Sequence, residues 1–414
     1  MYALIAMFAA LLVLVVLLRL KVRLGQSMVL AAVALAILLK VGPTLFCQTW
    51  LDEWHSKPLS QTTGYLFVSL AVLLCMVNVL GLAMRETGVS GQLASAMHGL
   101  FKSRRVALSI IPMLMGLLPT PGGIMLSAPM VRDLGDRIGV DRTHCAAINY
   151  WFRHQWETVW PLFPSVPLLQ SMLGIPALVL ISHNLAITLA GTLGGIVFLL
   201  TRGIPPRNSE HDNRAGVRKN LRDFLHAFWP IAVVAILYAA INLPPAAGIV
   251  LATVLFGIFH RLPSARWKAI LREGLEPDFV LLVLGALLFK LILEAGGAIP
   301  SAVGFLQDHH TPPILLIFFL PFLVGFLTGV TMPTVAITFP FLMPMITRDG
   351  QIRMGLETLA FSGLICGLML TPVHLCLAMS ASYFQAPLGK LILRLLGPVA
   401  LVAAAGLVSA WIFS

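Results

Sequence analysis

Charge is what this sequence has least of. Lysine, arginine, aspartate and glutamate make up 11% of 414 residues, less than half of the roughly 25% found in soluble domains. Hydrophobic residues make up 58%, so a water-soluble globule is excluded. Acid is the scarcer sign, with 17 Asp and Glu against 28 Lys and Arg, net +11. Cysteine is also sparse: Cys47, Cys75, Cys145, Cys366 and Cys376 form no C-x-x-C pair. No disulfide framework and no metal site are expected from that spacing, and the thiols read as membrane-buried. H-E-x-x-H, G-x-S-x-G and an aspartate pair are missing as well, so no catalytic residues are assigned and the chain does not read as an enzyme.

Long apolar runs take the place of charge. "MYALIAMFAALLVLVVLLRL" and "LVAAAGLVSAWIF" reach or approach the ~20 residues that cross a bilayer core. The first run carries its basic residues after it, the reverse of a signal peptide, and reads as a retained span. Passages fall near 2–19, 28–46, 63–84, 143–171, 175–200, 223–242, 245–260, 277–293, 355–385 and 391–412. The basic loops (19–23, 102–105, 202–222 and 261–272) alternate with loops nearly free of positive charge. The positive-inside rule then places both termini outside a cell membrane. The excess of positive charge belongs to these loops, and no nucleic acid is implied.

The halves resemble each other. "IPMLMGLLPTPGGIMLSAPM" pairs with "LPFLVGFLTGVTMPTVAITFPF", matching Pro112 with Pro321 and Gly116 with Gly325. Pro129 precedes Pro161, and Pro340 precedes Pro372, by the same 32 residues. Equivalent loops differ in charge: Lys102, Arg104 and Arg105 in one half, Asp308, His309 and His310 in the other. This implies inverted repeats, a construction used by many secondary transporters, with the site between them near the midplane. The first repeat is 1–201, with a re-entrant hairpin over 106–131 and a broken helix over 143–171. A basic linker over 202–222 leads to the second repeat, 223–414, with a hairpin over 312–345 and a broken helix over 355–385. The fold class is an all-α polytopic membrane protein with a 5+5 inverted repeat.

Pro119, Pro121, Gly122 and Gly123 break the first hairpin, since an interior Pro costs ~3 kcal/mol in a helix and Gly ~1. The second hairpin turns near Thr328–Thr334. Broken backbone at that depth must be buried in protein or line a wet cavity, where its free amides and carbonyls can hold a ligand. Beside the first break, "NYWFRHQWETVWPLFP" clusters Arg153, His154 and Glu157. On a helix Tyr150, His154 and Glu157 share a face, and Arg153 and Glu157 are i, i+4 neighbours. These charges either pair internally or serve a site, with Arg153 facing an anion and His154 or Glu157 carrying a coupling proton. The positions equivalent to 153, 154 and 157 are Leu364, Ile365 and Leu368, so the fold does not demand charge there. His183 and Asn184 read as a satisfied buried pair, and Lys290 with Glu294 as a snorkelling pair at the interface.

The pattern "LPTPGG…SAP…INYWFRHQWE…WPLFP" resembles the ten-span DUF401 family over essentially the whole chain. That family is grouped with the ion transporter superfamily, which includes gluconate, citrate, dicarboxylate and lactate carriers, arsenite exporters and some Na⁺/H⁺ antiporters. The resemblance implies an elevator-type motion and a homodimer. It implies a substrate site from the first tip (Thr120, Pro121, Gly122, Gly123), the first break (Trp160, Pro161), the second tip (Thr328, Thr331, Thr334) and the second break (Thr371, Pro372). Asn149, Arg153 and His374 lie beside the breaks and complete the candidate set. The Ser-Asn-Thr signatures of the dicarboxylate carriers are absent from both tips, which leaves substrate and coupling ion open. The function so implied is secondary transport of a small, carboxylate-type organic anion coupled to H⁺ or Na⁺, with no other cofactor. The alternatives are a cation/proton antiporter using Glu157, and a membrane-embedded enzyme or lipid-handling protein.

Overall fold

The computed structural model describes residues 2–100, 103–118, 123–201, 204, 216–301, 304 and 312–413. It is helical apart from a two-residue hairpin pairing Thr347–Arg348 with Gln351–Ile352. Six helical segments among the described residues are long and apolar enough to cross a membrane: Tyr2–Arg19, Thr63–Glu86, Ala177–Thr201, Arg218–Ile241, Met354–Phe384 and Leu388–Ile412. The protein is therefore a multi-pass membrane protein. The linker expected over 202–222 lies largely outside the described residues.

The passage expected over 28–46 is shorter than the sequence implied. Helices α1 (Tyr2–Arg19) and α2 (Leu24–Leu38) precede a turn of 110° into α3 (Pro43–Ser56). Lys40 takes a left-handed φ of 57°, and Pro43, with φ preset and no N–H to lose, opens the new helix. Helices α4 (Thr63–Glu86) and α5 (Val89–Leu100) lead to the first hairpin, α6 (Arg104–Met115) and α7 (Ile124–Ile138). The first broken element is α8 (Arg142–Arg153) and α9 (Ser165–Leu173), followed by α10 (Ala177–Gly195). In the second half, four described helices precede the hairpin, against five in the first. Helices α11 (Val217–Ile241), α12 (Pro245–Phe259), α13 (Ser264–Gly274) and α14 (Pro277–Ala295) precede the hairpin α15 (Pro313–Thr328) and α16 (Thr331–Ile346). Then come α17 (Met354–Leu370), α18 (Leu375–Phe384) and α19 (Leu388–Ile412).

Packing partners correspond between the halves. The arms of each hairpin lie on each other, α6 on α7 and α15 on α16. The first arm crosses the broken helix of its own half, α6 on α8 and α15 on α17. The second arm packs on the far piece of the other half's broken helix, α7 on α18 and α16 on α9. Glycine permits the closest crossings. A Cβ on Gly116 would lie 2.0 Å from the Arg153 carbonyl oxygen, and one on Gly325, its match, 2.9 Å from that of Leu364. Helix α17 is buried on every side from Met354 to Met369, as expected of an all-round apolar helix at the centre of a bundle.

Lys290 does not snorkel. Its side chain is buried and pairs with Glu294 at 3.0 Å and with Glu53 at 3.2 Å, while Lys57 bridges the same two acids at 2.8 and 3.3 Å. Only a tertiary contact between α3 and α14 could assemble this network. Burial opposes the Glu53 charge, but Lys290, Lys57 and Thr63 outweigh it and hold the carboxyl down at about 2. Asn184 is buried as expected, though its partner is not His183: its amide donates to Glu357 Oε1 at 3.0 Å. His183 turns instead to the Val179 carbonyl. Glu357 is fully buried in α17, an intramembrane carboxylate that the sequence reading passed over.

Candidate functional site

The first break begins earlier than its prolines. Helix α8 ends at Arg153, and residues 154–159 form tight turns. Here side chains bond backbone carbonyls of the last helical turn: His154 Nδ1 donates to Tyr150 O at 2.7 Å, and Gln155 Nε2 to Trp151 O at 2.8 Å. Pro161 and Pro164 have no N–H with which to resume a helix, so regular structure restarts at Ser165. The helix expected to carry Tyr150, His154 and Glu157 on one face therefore ends at Arg153, yet the side chains still adjoin: the Tyr150 and His154 rings lie 4.6 Å apart. Glu157 places Oε1 3.8 Å from His154 Nε2. Its Oε2 is buried with no hydrogen-bond partner among the described residues.

Arg153 completes a helix end. Its guanidinium donates to Met115 O at 2.8 Å and Leu118 O at 3.1 Å. Trp156 Nε1 donates to Met113 O and Trp160 Nε1 to Leu117 O, both at 2.9 Å. These carbonyls close the C-terminal end of α6, where a helix leaves acceptors without intrahelical partners and carries partial negative charge. The tryptophans thus do more than pack. Asn149 is similarly engaged, accepting from Ser127 Oγ at 2.6 Å and donating to Ile124 O at 3.4 Å.

The second hairpin turns at Gly329 and Val330 alone, and Thr331 to Thr334 already belong to α16. Gly329 adopts φ 68°, and a Cβ there would lie 3.1 Å from the His374 backbone nitrogen. Both its conformation and its proximity to the second break call for glycine. Thr328 and Thr334 hydroxyls meet at 3.0 Å, and Thr334 also donates to Val330 O at 2.8 Å. In the second break, Thr371 Oγ1 donates to Phe326 O. His374 Nδ1 donates to Gly329 O at 2.6 Å, and its Nε2 lies 3.0 Å from His154 Nε2. The two breaks therefore touch through histidines separated by 220 residues.

A cavity of about 440 Å³ opens at this junction. Arg153, His154 and Glu157 line it from the first break, Thr328 to Met332 from the second tip, and Val373 to Cys376 from the second break. Helix α14 adds Asp278, whose Oδ1 is buried without a partner among the described residues. Of the sequence candidates, Arg153, His154, Glu157, Thr328, Thr331 and His374 line the cavity. Asn149, Trp160, Thr334 and Thr371 stand behind the wall, holding backbone. Gly123 caps the N-terminus of α7, while Thr120, Pro121 and Gly122 lie outside the described residues. Cys376 and Asp278 were not singled out in the sequence. Cys376 had a signal, two residues beyond His374 in a broken helix; Asp278 sits at an ordinary helix start and had none.

The sequence profile of the family described as "Protein of unknown function (DUF401)" matches residues 1–412. The chain belongs to the DUF401 family. Among solved structures, the YdaH transporter of Alcanivorax borkumensis, whose crystal structure is described as revealing an unusual topology, resembles this DUF401 chain with a TM-score of 0.55. The two share 16% identity, over 87% of this chain and 88% of that one. Likeness at that identity shows a common fold. A comparison with curated proteins found no match.

Proposed function

We propose that this DUF401 protein is a secondary transporter of a small organic anion, coupled to H⁺ or Na⁺, working as an elevator in which the hairpin regions move against a scaffold. The observation that carries this reading is the cavity where the second hairpin tip and both helix breaks converge inside an apolar helical body. Polar backbone ends at that depth make sense where a hydrated passenger must be held. Arg153 brings positive charge to the wall and favours an anion, and His154 and Glu157 form the coupling side. The matched packing of the two halves supports an inverted 5+5 repeat with ten spans, re-entrant hairpins and both termini outside. The shared fold with a protein described as a transporter points the same way. A homodimer in the cell membrane is part of the proposal.

The test is uptake of labelled organic anions into proteoliposomes under imposed H⁺ or Na⁺ gradients. Gradient-driven accumulation, lost in Arg153→Gln, is the expected result. Absence of accumulation across a carboxylate panel under both gradients would overturn the reading. One observation favours a second reading, a cation/proton antiporter: the unpartnered Glu157 Oε2 beside His154. It predicts cation-induced pH changes inside vesicles without organic solute, abolished in Glu157→Gln.

A further inference from the structure

We propose that the junction of the two breaks is a metal site, in which His154 Nε2, His374 Nε2 and Cys376 Sγ bind one Zn²⁺ ion. The first support is proton placement. Both histidines direct Nδ1 at backbone carbonyls, those of Tyr150 and Gly329. A carbonyl oxygen can only accept, so both Nδ1 atoms carry hydrogen. In neutral rings both Nε2 atoms then present lone pairs to each other across 3.0 Å. Such a pair requires a cation between or beside the two nitrogens.

The donor set decides which cation. A single bridging proton accounts for the imidazoles alone, whereas Cys376, which contacts both His154 and Arg153, brings a sulfur donor to the same point. Cys376 Sγ and one ring nitrogen of each histidine all lie within 4.8 Å of one another. Four-coordinate zinc, with Zn–N about 2.0–2.1 Å and Zn–S about 2.3 Å, holds its ligands roughly 3.4–3.6 Å apart, so small side-chain adjustments close the site. Two imidazoles and a thiolate are a borderline-soft set that suits zinc and disfavours Mg²⁺ or Ca²⁺. The Nδ1–H to carbonyl bonds are the outer contacts that commonly fix a ligating histidine's tautomer. All three ligands line the cavity, so the fourth position opens into it. Glu157 stands beside it, Oε1 3.8 Å from His154 Nε2 and Oε2 unpartnered. No C-x-x-C or paired-histidine spacing announces this set, because residues 154 and 374 meet only in the folded chain.

Binding converts the thiol to thiolate and so releases its proton, together with any proton held between the histidines. The proposal goes beyond anion transport and is tested without it. Purified full-length protein in detergent is titrated with Co²⁺ as a coloured substitute for Zn²⁺. One Co²⁺ per chain is expected, with thiolate-to-cobalt charge-transfer absorption, proton release into weakly buffered medium, and displacement by Zn²⁺. Cys376→Ser should lose the charge-transfer band. His374→Ala should weaken binding by more than roughly 100-fold, since even an outer contact is worth about 10–100-fold. Cys47→Ser, at an exposed thiol, serves as a control and should leave the band unchanged. No charge-transfer band in the wild-type protein, or a band that survives Cys376→Ser, overturns the proposal. Anion uptake without a cobalt band would sink the metal site alone, and a cobalt band without uptake would sink only the carrier.

Discussion

The two hairpin arms perform the same crossing and end differently. Helix α15 runs on to Thr328 before Gly329 turns it, whereas α6 stops at Met115, about one turn earlier by the proline and glycine match. Early termination leaves the Met115, Leu117 and Leu118 carbonyls to find other donors, and Arg153 and Trp160 supply them. The longer arm needs less: Thr371, at the position equivalent to Trp160, donates to Phe326 O, the match of Leu117 O. The same backbone need recurs in each half, met by a different side chain. The comparison teaches that the polar richness of the first break is partly structural. Arg153 holds a helix end and faces the cavity at once, so its charge is fixed in position before any ligand arrives.

The largest effect should come from making the first half resemble the second. Arg153→Leu places the equivalent residue there and orphans two buried carbonyls, each costing about 1–3 kcal/mol. Thermal unfolding in detergent should fall sharply, and an unchanged melting point would break the comparison. Next come the paired glycines. Gly116→Ala brings a methyl far closer to its facing carbonyl than Gly325→Ala does, so the first should cost more, both in the range of about 1–3 kcal/mol or above. Equal losses would mean that the two crossings are alike after all. Smaller still, Trp160→Phe and Thr371→Val each remove one carbonyl bond and should each cost roughly 1 kcal/mol. A double-mutant comparison by thermal shift would show whether the two bonds are equivalent.

Smallest at ordinary pH is any response of the Glu53 network, which serves as a reference for charges with a purely structural task. The folded-state value of Glu53, about 2, lies below its ordinary 4.5. Its stabilisation is therefore complete above roughly pH 4.5 and drains as pH falls toward 2. Melting temperature should be flat from pH 5 to 8 through this group. Replacing Glu53 with Gln leaves two lysines, Lys290 and Lys57, to share Glu294 alone and should lower the melting temperature throughout that range.

Much of the fold was legible because the bilayer forces it. Apolar runs must become helices there; single prolines such as Pro112 and Pro321 are tolerated inside them, but Thr371–Pro372 marked the second break and Gly329 fell within the expected second turn. The first break was misplaced by several residues because Pro161 is conspicuous, while the carbonyl-seeking side chains of His154 and Gln155 are not. For the same reason Tyr150, His154 and Glu157 adjoin through turns and not along one helical face.

The sequence by itself determined the solvent, the helices and the segments that border the cavity, since each follows from local composition or from periodic spacing along one chain. Only the tertiary structure decided which polar groups face the cavity and which hold backbone, and that His154, His374 and Cys376 converge. The bonds by which Asn149, Arg153, Trp160 and Thr371 hold backbone join residues 25 to 45 apart, and the two histidines meet across 220. Spacing along the chain carries no information about lone pairs that meet across such a distance.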